Sequence, residues 1–352
     1  MQSPNTSWPE SSPTNILVRM PNWIGDAVMA TPLLADLRQH YKDAKITAMC
    51  QNPVGTLLHH DPNLTEIYSF NRPSGWIRRI HHFEVIEYLQ EGQYDLGILL
   101  TNSFSSAWWF WRGQVQHRIG FGDGLRNLLL DKAVSFPKNK ETQHQVLTYK
   151  MLLEPLGIPI SSTSPRLYLT SKEIDEARQY LKNLGIDPSK NLIVGINPGA
   201  AYGSAKCWPP ERYAEVTRQL LTNPDIYVVY FGDANGASLV NDICKGMPER
   251  VINLASRTSL RELIALINCC TIFLTNDSGP MHIAAALGVR LLALFGSTNE
   301  VKTGPFPQGS VIHKHVECSP CYKRVCPIDF RCMREIHVNE VYDQLKQLIE
   351  KK

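Results

Sequence analysis

The stretch Thr275-Asn276-Asp277-Ser278-Gly279-Pro280-Met281-His282 gathers a carboxylate, two hydroxyls, a glycine and an imidazole where an apolar run gives way to an alanine-rich helical pattern. A strand that turns into a helix this way presents backbone N–H groups and the positive end of the helix dipole, which together seat a phosphate. Asp277 can accept hydrogen bonds from ligand hydroxyls, and Gly279 allows close approach to the backbone. His282 follows Ser278 by one helical turn, so both can face one ligand. Taken alone, the motif is equally well explained by an Asp or Ser cap on a helix that binds nothing.

Two further junctions have the same character. Pro21-Asn22-Trp23-Ile24-Gly25-Asp26-Ala27 follows the first apolar run. Asp26 there can act as a general base toward a hydroxyl, or cap the helix, or both. Asn197-Pro198-Gly199-Ala200-Ala201-Tyr202-Gly203-Ser204-Ala205-Lys206-Cys207-Trp208-Pro209 is a loop of small residues that an anion can approach, with Lys206 as a point charge. A long solvated loop with an incidental lysine is the plainer alternative. Phe231-Gly232-Asp233 is a weaker glycine turn. None of these reads G-x-G-x-x-G after the first strand, and no Walker lysine loop is present, which disfavours a nicotinamide dinucleotide or P-loop site.

The elements that must position these residues alternate along the chain. Strands are expected at Ile16–Met20, Ile46–Met49, Glu66–Phe70 and Leu96–Leu100, with helices at Ala27–His40 and His82–Gln90. The Pro- and Ser-rich stretch from Leu153 to Leu169 reads as a linker, and the domain boundary is set at 160/161. A second cycle then places strands at Leu192–Asn197, Tyr227–Phe231, Val251–Asn253, Thr271–Thr275 and, as the last, Leu291–Phe295. Its helices are Ile174–Leu184, Pro210–Leu221, Ala237–Gly246, Leu260–Asn268 and Met281–Leu287. A C-terminal helix over 338–352 closes the chain after the second domain, 161–337. The fold class is therefore α/β, two doubly wound Rossmann-like domains with a cleft between the carboxyl ends of their sheets.

With 352 residues, 43% hydrophobic and 20% charged, the chain is long enough for two such cores. A net charge of +3 gives no reason to expect a nucleic-acid partner. No apolar stretch reaches about 18 residues, so no spanning helix is expected. Residues 1–14, rich in Ser, Pro and Asn, read as a disordered tail and not a signal peptide, which places the protein in the cytoplasm.

Asn22-Trp23-Ile24-Gly25-Asp26, Asn102-Ser103-Phe104, Pro198-Gly199-Ala200 through Lys206-Cys207-Trp208-Pro209, and Thr275-Asn276-Asp277-Ser278-Gly279 together resemble the bacterial ADP-heptose:lipopolysaccharide heptosyltransferases. The match runs in order over nearly all of the chain after residue 15. Asn102–Phe104 and the Gly203–Pro209 loop resemble the second heptosyltransferases more than the first. The resemblance implies the GT-B architecture and an inverting, metal-independent transfer of L-glycero-D-manno-heptose from ADP-heptose to the first heptose of heptosyl-Kdo-lipid A. It makes Asp26 the base and Lys206 the group that stabilises the departing diphosphate. Asp277 would hold heptose hydroxyls, with Asn276, Ser278, Gly279, His282, Gly199, Ala200, Ala201, Tyr202 and Gly232 around the donor. Asn22, Trp23, Gly25, Asn102, Ser103 and Arg118 would meet the acceptor. No cofactor is required for catalysis. Ala200, Ala201 and Tyr202 depart from relatives that carry a hydroxyl or an acid in this loop. A GT-B enzyme with another acceptor, a nucleotide-sugar epimerase and a non-catalytic nucleotide-sugar-binding protein are the competing readings.

Two regions remain. Cys318-x2-Cys321-x4-Cys326-x5-Cys332 can hold a structural zinc, stay reduced, or include a disulfide. Trp108-Trp109-Phe110-Trp111, with Arg112, Arg118 and Arg126 against the single acid Asp123, and with Arg72, Trp76, Arg78 and Arg79, suits an anionic lipid surface. The first domain is accordingly expected to bind the lipid A-linked acceptor at the cytoplasmic face of the inner membrane. Helix packing against the sheet is the alternative for some of these rings.

Overall fold

A computed structural model describes residues 8, 9 and 11–350, without the side chains of Trp76 and Arg79. The chain divides into two compact units, one ending at Tyr168 and the other beginning at Leu169. The first carries strands β1 (Asn15–Arg19), β2 (Lys45–Gln51), β3 (Glu66–Phe70), β4 (Leu96–Leu99), β5 (His117–Phe121) and β6 (Lys132–Val134). They pair in the order β3-β2-β1-β4-β5-β6, all parallel. Ile16, Leu17 and Val18 are consecutive and all fully buried, as a central parallel strand covered on both faces requires.

The second unit carries β7 (Leu192–Asn197), β8 (Ile226–Tyr230), β9 (Val251–Asn253), β10 (Ile272–Asn276), β11 (Arg290–Phe295) and β12 (Ser310–His313). Their order is β12-β11-β10-β7-β8-β9, again all parallel. The two sheets share one topology although the sequence shows no internal repeat. Each chain segment winds outward from its first strand, returns beside it, and winds out the other way. The reversals fall between β1 and β4 and between β7 and β10, the switch points where open α/β sheets build ligand sites.

Leu291–Phe295 is not the last strand, because β12 follows it at the edge. β5 and β6 were likewise not expected. β5 begins with His117 and Arg118 and contains Gly120, and β6 has three residues, so neither shows an apolar run.

The unit boundary falls later than 160/161, because the linker is held to the first unit. Lys150 and Asp36 form a buried ion pair (3.4 Å), and Ser161 and Thr163 bond both partners. Arg166 N–H then donates to Thr31 Oγ1 (3.2 Å). Of the expected tail, residues 1–7 and 10 lie outside the described residues. The rest is docked: Trp8 meets the His117 ring edge-on at 5.2 Å, and Thr14 donates to Asp95.

In the second unit Thr170 and Glu173 form a capping box on helix Ser171–Asn183. Glu173 also takes two bonds from Arg261 of helix Leu260–Asn268 (2.7 and 2.8 Å), tying the two helices together. These Arg261 bonds, ahead of the Thr170 contacts, bring the Glu173 carboxyl from 4.5 down to about 2. A carboxyl lowered on folding stabilises the protein above its unfolded value, and that stabilisation fades as pH falls toward the folded one. Glu173→Gln is expected to cost about 1–3 kcal/mol at neutral pH. In urea unfolding series the difference from the parent should shrink between pH 4.5 and about 2; a constant difference would remove the charge from the explanation.

Candidate active site

At the switch point of the second unit, β7 and β10 end side by side, and each opens into one of the loops marked in the sequence. Lys206 Nζ lies 2.5 Å from Asp277 Oδ2, and the two side chains are 13% and 5% exposed. Thr298, in the loop after β11, donates to the same oxygen at 2.7 Å. Three strands thus converge on one carboxylate. An ammonium carries three donors, so Lys206 can hold Asp277 and an anionic ligand together. Its Nζ also sits 4.8 Å over the Tyr202 ring.

The turn that carries Lys206 is fixed from the far end of the unit. Ala205 N–H donates to the Arg324 carbonyl (3.0 Å), and Tyr202 Oη donates to the Tyr322 carbonyl (2.7 Å). Gly203 has φ +154°, and a Cβ there would run into the Arg324 carbonyl, so only glycine fits. Gly199 has no neighbour within 4 Å of a notional Cβ and leaves its backbone open to a ligand.

Helix Gly279–Ala286 starts at Ser278, yet no side chain caps it. The Ser278 hydroxyl instead lies 3.0 Å from Thr275 Oγ1 and accepts from Asn197 Nδ2 at 3.4 Å. The simple helix-cap explanation of this motif is therefore not what the structure shows. His282 is buried within the helix.

Asn276 requires a correction as a direct ligand contact, because it is fully buried. Its Oδ1 accepts from Trp208 N–H (3.2 Å) and Tyr213 Oη (2.8 Å), and its Nδ2 donates to the Pro198 carbonyl (2.6 Å). It staples the β7 loop to β10 from beneath. Gly232, after β8, is packed between Val240 and Ala255, and its carbonyl accepts from Ser256 N–H.

At the first unit's switch point Asp26 is the third residue of helix Ile24–His40, which Trp23 begins. Asp26 is thus not the N-cap. Its Oδ1 accepts from Tyr149 Oη at 3.0 Å, across 123 positions of sequence. Burial, reinforced by the Asp26 charge, raises Tyr149 well above the usual phenol value, so it stays a neutral donor. Asn22 and Trp23 are exposed beside Asp26 and the half-buried Gly25. Arg19, at the end of β1, is buried and donates to Asn22 Oδ1 (2.6 Å) and the Met20 and Met49 carbonyls. Burial lowers its guanidinium to about 10. After β4, Asn102 is exposed and Ser103 caps helix Phe104–Arg112 by accepting from Ser106 N–H.

The structure does not bring Arg118 to this edge. It sits at the amino end of β5, paired with Asp131 (3.0 Å) and bonded to the Leu129 and Val115 carbonyls. Arg126 is buried on the Thr101 and Phe121 carbonyls. Of that basic trio only Arg112 is exposed. Trp109 and Phe110 are core residues, whereas Trp111 and Phe104 face outward.

Sequence reasoning missed Tyr149, Thr298 and Arg19. Only Thr298 left a usable signal, since it follows a strand next to β10. Cys318, Cys321, Cys326 and Cys332 are free thiols lining one cavity of ≈ 50 Å³ with Ser297. Burial, then the neighbouring Cys318, pushes the Cys332 thiol up to about 11. Among the described residues, the potential ligand atoms that close to within 4.8 Å of one another belong to Glu300, His313 and His315.

Asn276→Leu tests the staple. It strands three buried groups, each loss costing about 1–3 kcal/mol, so a stability loss of at least about 3 kcal/mol is expected in urea unfolding. A near-neutral change would return Asn276 to the ligand side of the site.

Residues 82–330 match the family model described as glycosyltransferase family 9 (heptosyltransferase). The chain is 33% identical over 313 residues to lipooligosaccharide heptosyltransferase 2 of Haemophilus influenzae, covering 86% of this chain and 89% of that one. It is 29% identical over 342 residues to lipooligosaccharide heptosyltransferase 2 of Campylobacter jejuni, covering 95% and 98%. The solved structure of ADP-heptose LPS heptosyltransferase II from E. coli superposes with a TM-score of 0.78 at 28% identity, covering 95% of this chain and 98% of that one. The fold is accordingly the α/β GT-B class expected from the sequence. With the family model spanning well over half of its length, the chain belongs to glycosyltransferase family 9, the heptosyltransferases.

Proposed function

We propose that the protein transfers L-glycero-D-manno-heptose from ADP-heptose to the first heptose of heptosyl-Kdo-lipid A, inverting the anomeric centre without a catalytic metal. The observation that carries this reading is the Lys206–Asp277–Thr298 group beside the uncapped start of helix Gly279–Ala286. A departing ADP develops charge that needs a cation and oriented N–H groups, and these are the groups gathered there.

In the proposed reaction the Asp26 carboxylate takes the proton of the acceptor hydroxyl. The hydroxyl oxygen forms a bond to heptose C1 as the bond from C1 to the diphosphate oxygen breaks. ADP leaves with that electron pair, its charge met by Lys206 and by N–H groups at Ser278 and Gly279. Asp277 orients heptose hydroxyls, and the Gly199-Ala200-Ala201-Tyr202 backbone and His282 complete the donor side. The region beyond Gly232 is assigned to adenine. Tyr149 keeps Asp26 in one orientation. Asn22, Trp23, Gly25, Asn102 and Ser103 are assigned to the acceptor.

Asp26→Asn is expected to lower kcat by about 10²–10⁴-fold while leaving ADP-heptose affinity intact. Lys206→Ala should weaken both kcat and donor binding. ADP release with and without acceptor measures this. Turnover that Asp26→Asn leaves untouched would refute the assignment of the base, and conversion of ADP-heptose without acceptor would point to an epimerase.

We place the acceptor unit against anionic lipid. Helix Phe104–Arg112 packs on both Trp76–Ile80 and the turn Gly124–Leu129. These elements and Phe83 display Ile77, Phe104, Trp111, Leu125 and Leu128, the last two 74% and 82% exposed. Arg72, Arg78 and Arg112 are exposed on the same elements and their flanks. Apolar side chains among arginines suit a headgroup layer. No helix among the described residues is long and apolar enough to cross a membrane. Replacing both Leu125 and Leu128 by Ser should cut co-sedimentation with phosphatidylglycerol vesicles severalfold; unchanged sedimentation would remove this surface from the reading.

A further inference from the structure

The side chains that close to metal-ligand distance are not the cysteines. Glu300 opens the short helix Glu300–Thr303 after β11, His313 ends β12, and His315 follows two residues on. His313 Nδ1 is 2.6 Å from Glu300 Oε2, and its Nε2 is 2.8 Å from Ser319 Oγ and 3.2 Å from the Gly296 carbonyl. His315 Nε2 is 3.4 Å from Glu300 Oε1, and the two imidazole centroids are 4.1 Å apart.

The Gly296 carbonyl accepts from the Ser319 hydroxyl and lies within reach of His313 Nε2. With Nε2–H donating to this carbonyl, the lone pair on Nδ1 is turned toward the Glu300 carboxylate, where the two can share a metal ion.

Three features favour the ion. Donation of the far ring N–H to a backbone carbonyl is the arrangement that orients metal-binding histidines. His315 supplies a third ligand from a backbone held at φ +47°, a conformation side chains other than glycine adopt at a cost. The His313 side chain is buried while that of His315 is 65% exposed, so water can reach the remaining coordination position.

We propose that Glu300, His313 and His315 bind a divalent transition-metal ion of the zinc class, through His313 Nδ1, His315 Nε2 and the Glu300 carboxylate, with water as the fourth ligand. The ion takes the Nδ1 lone pair while Nε2 keeps the ring proton. The ion ties β12 to the loop after β11, in which Thr298, two residues before Glu300, holds Asp277. It acts as a brace on that loop and takes no part in bond making.

The test is a cobalt(II) titration of the chelator-treated full-length protein, followed by absorbance, calorimetry and thermal unfolding. One ion per chain is expected, with d–d absorption, without thiolate-to-cobalt charge transfer, retained after the cysteines are alkylated, and with a raised Tm. His315→Ala removes an exposed side chain and should weaken binding at least about ten-fold; Glu300→Gln should do the same. Absence of cobalt binding up to millimolar concentration would overturn the proposal. So would undiminished affinity in His315→Ala, or binding that shows thiolate charge transfer and is lost on alkylation, which would assign the ion to the cysteine cavity.

Discussion

Parallel strands joined by right-handed crossovers can only be added in one direction from a starting strand. To cover both sides of that strand the chain must return and begin again, and the return leaves two adjacent strand ends whose loops diverge. Both units meet this constraint identically, at β1/β4 and at β7/β10. The junctions with the reactive side chains are the loops that leave these ends. Asp26 follows β1, Ser103 follows β4, Lys206 follows β7 and Asp277 follows β10. The chemistry sits where topology opens the sheet.

Loops at such an opening have little packing of their own, and the structure supplies it from below. Arg19 and Arg126 are buried guanidiniums that donate to carbonyls at the strand ends and loop starts around them, although the Nε of each has no partner. Asn276 works both ways, donating to the Pro198 carbonyl and accepting from Trp208 and Tyr213. Each such group costs desolvation, which its hydrogen bonds offset, and in exchange a loop backbone acquires one geometry. The residues above them, the exposed Asn22 and the half-buried Lys206 among them, inherit their positions from these interior contacts.

The sequence displays what is local and hides what is distant. The central strands are continuous apolar runs, so β1, β7 and β10 and their glycine turns were legible, and with them Asp26 and Asp277. β5, β6 and β12 lie toward or at the sheet edges, are short or polar, and show no such run. Tyr149 could not be connected to Asp26, because only the folded unit closes the 123 positions between them. Arg118 was misread because a count of charges does not say which are paired, and Asp131 stands 13 residues beyond it. The linker, read as a boundary from its composition, turned out to belong to the first unit through Ser161 and Thr163, whose hydroxyls reach a buried ion pair.

The contact between Gly203 and the Arg324 carbonyl has an evolutionary meaning. The cation in the β7 loop is placed by a segment more than a hundred residues downstream, with Tyr202 and Ala205 both bonded to it. A change in the length or backbone of either stretch is therefore felt at the other. They form one heritable cassette, split in the gene and joined only in the folded chain, and a hybrid that inherits one half would carry its lysine without the scaffold that aims it.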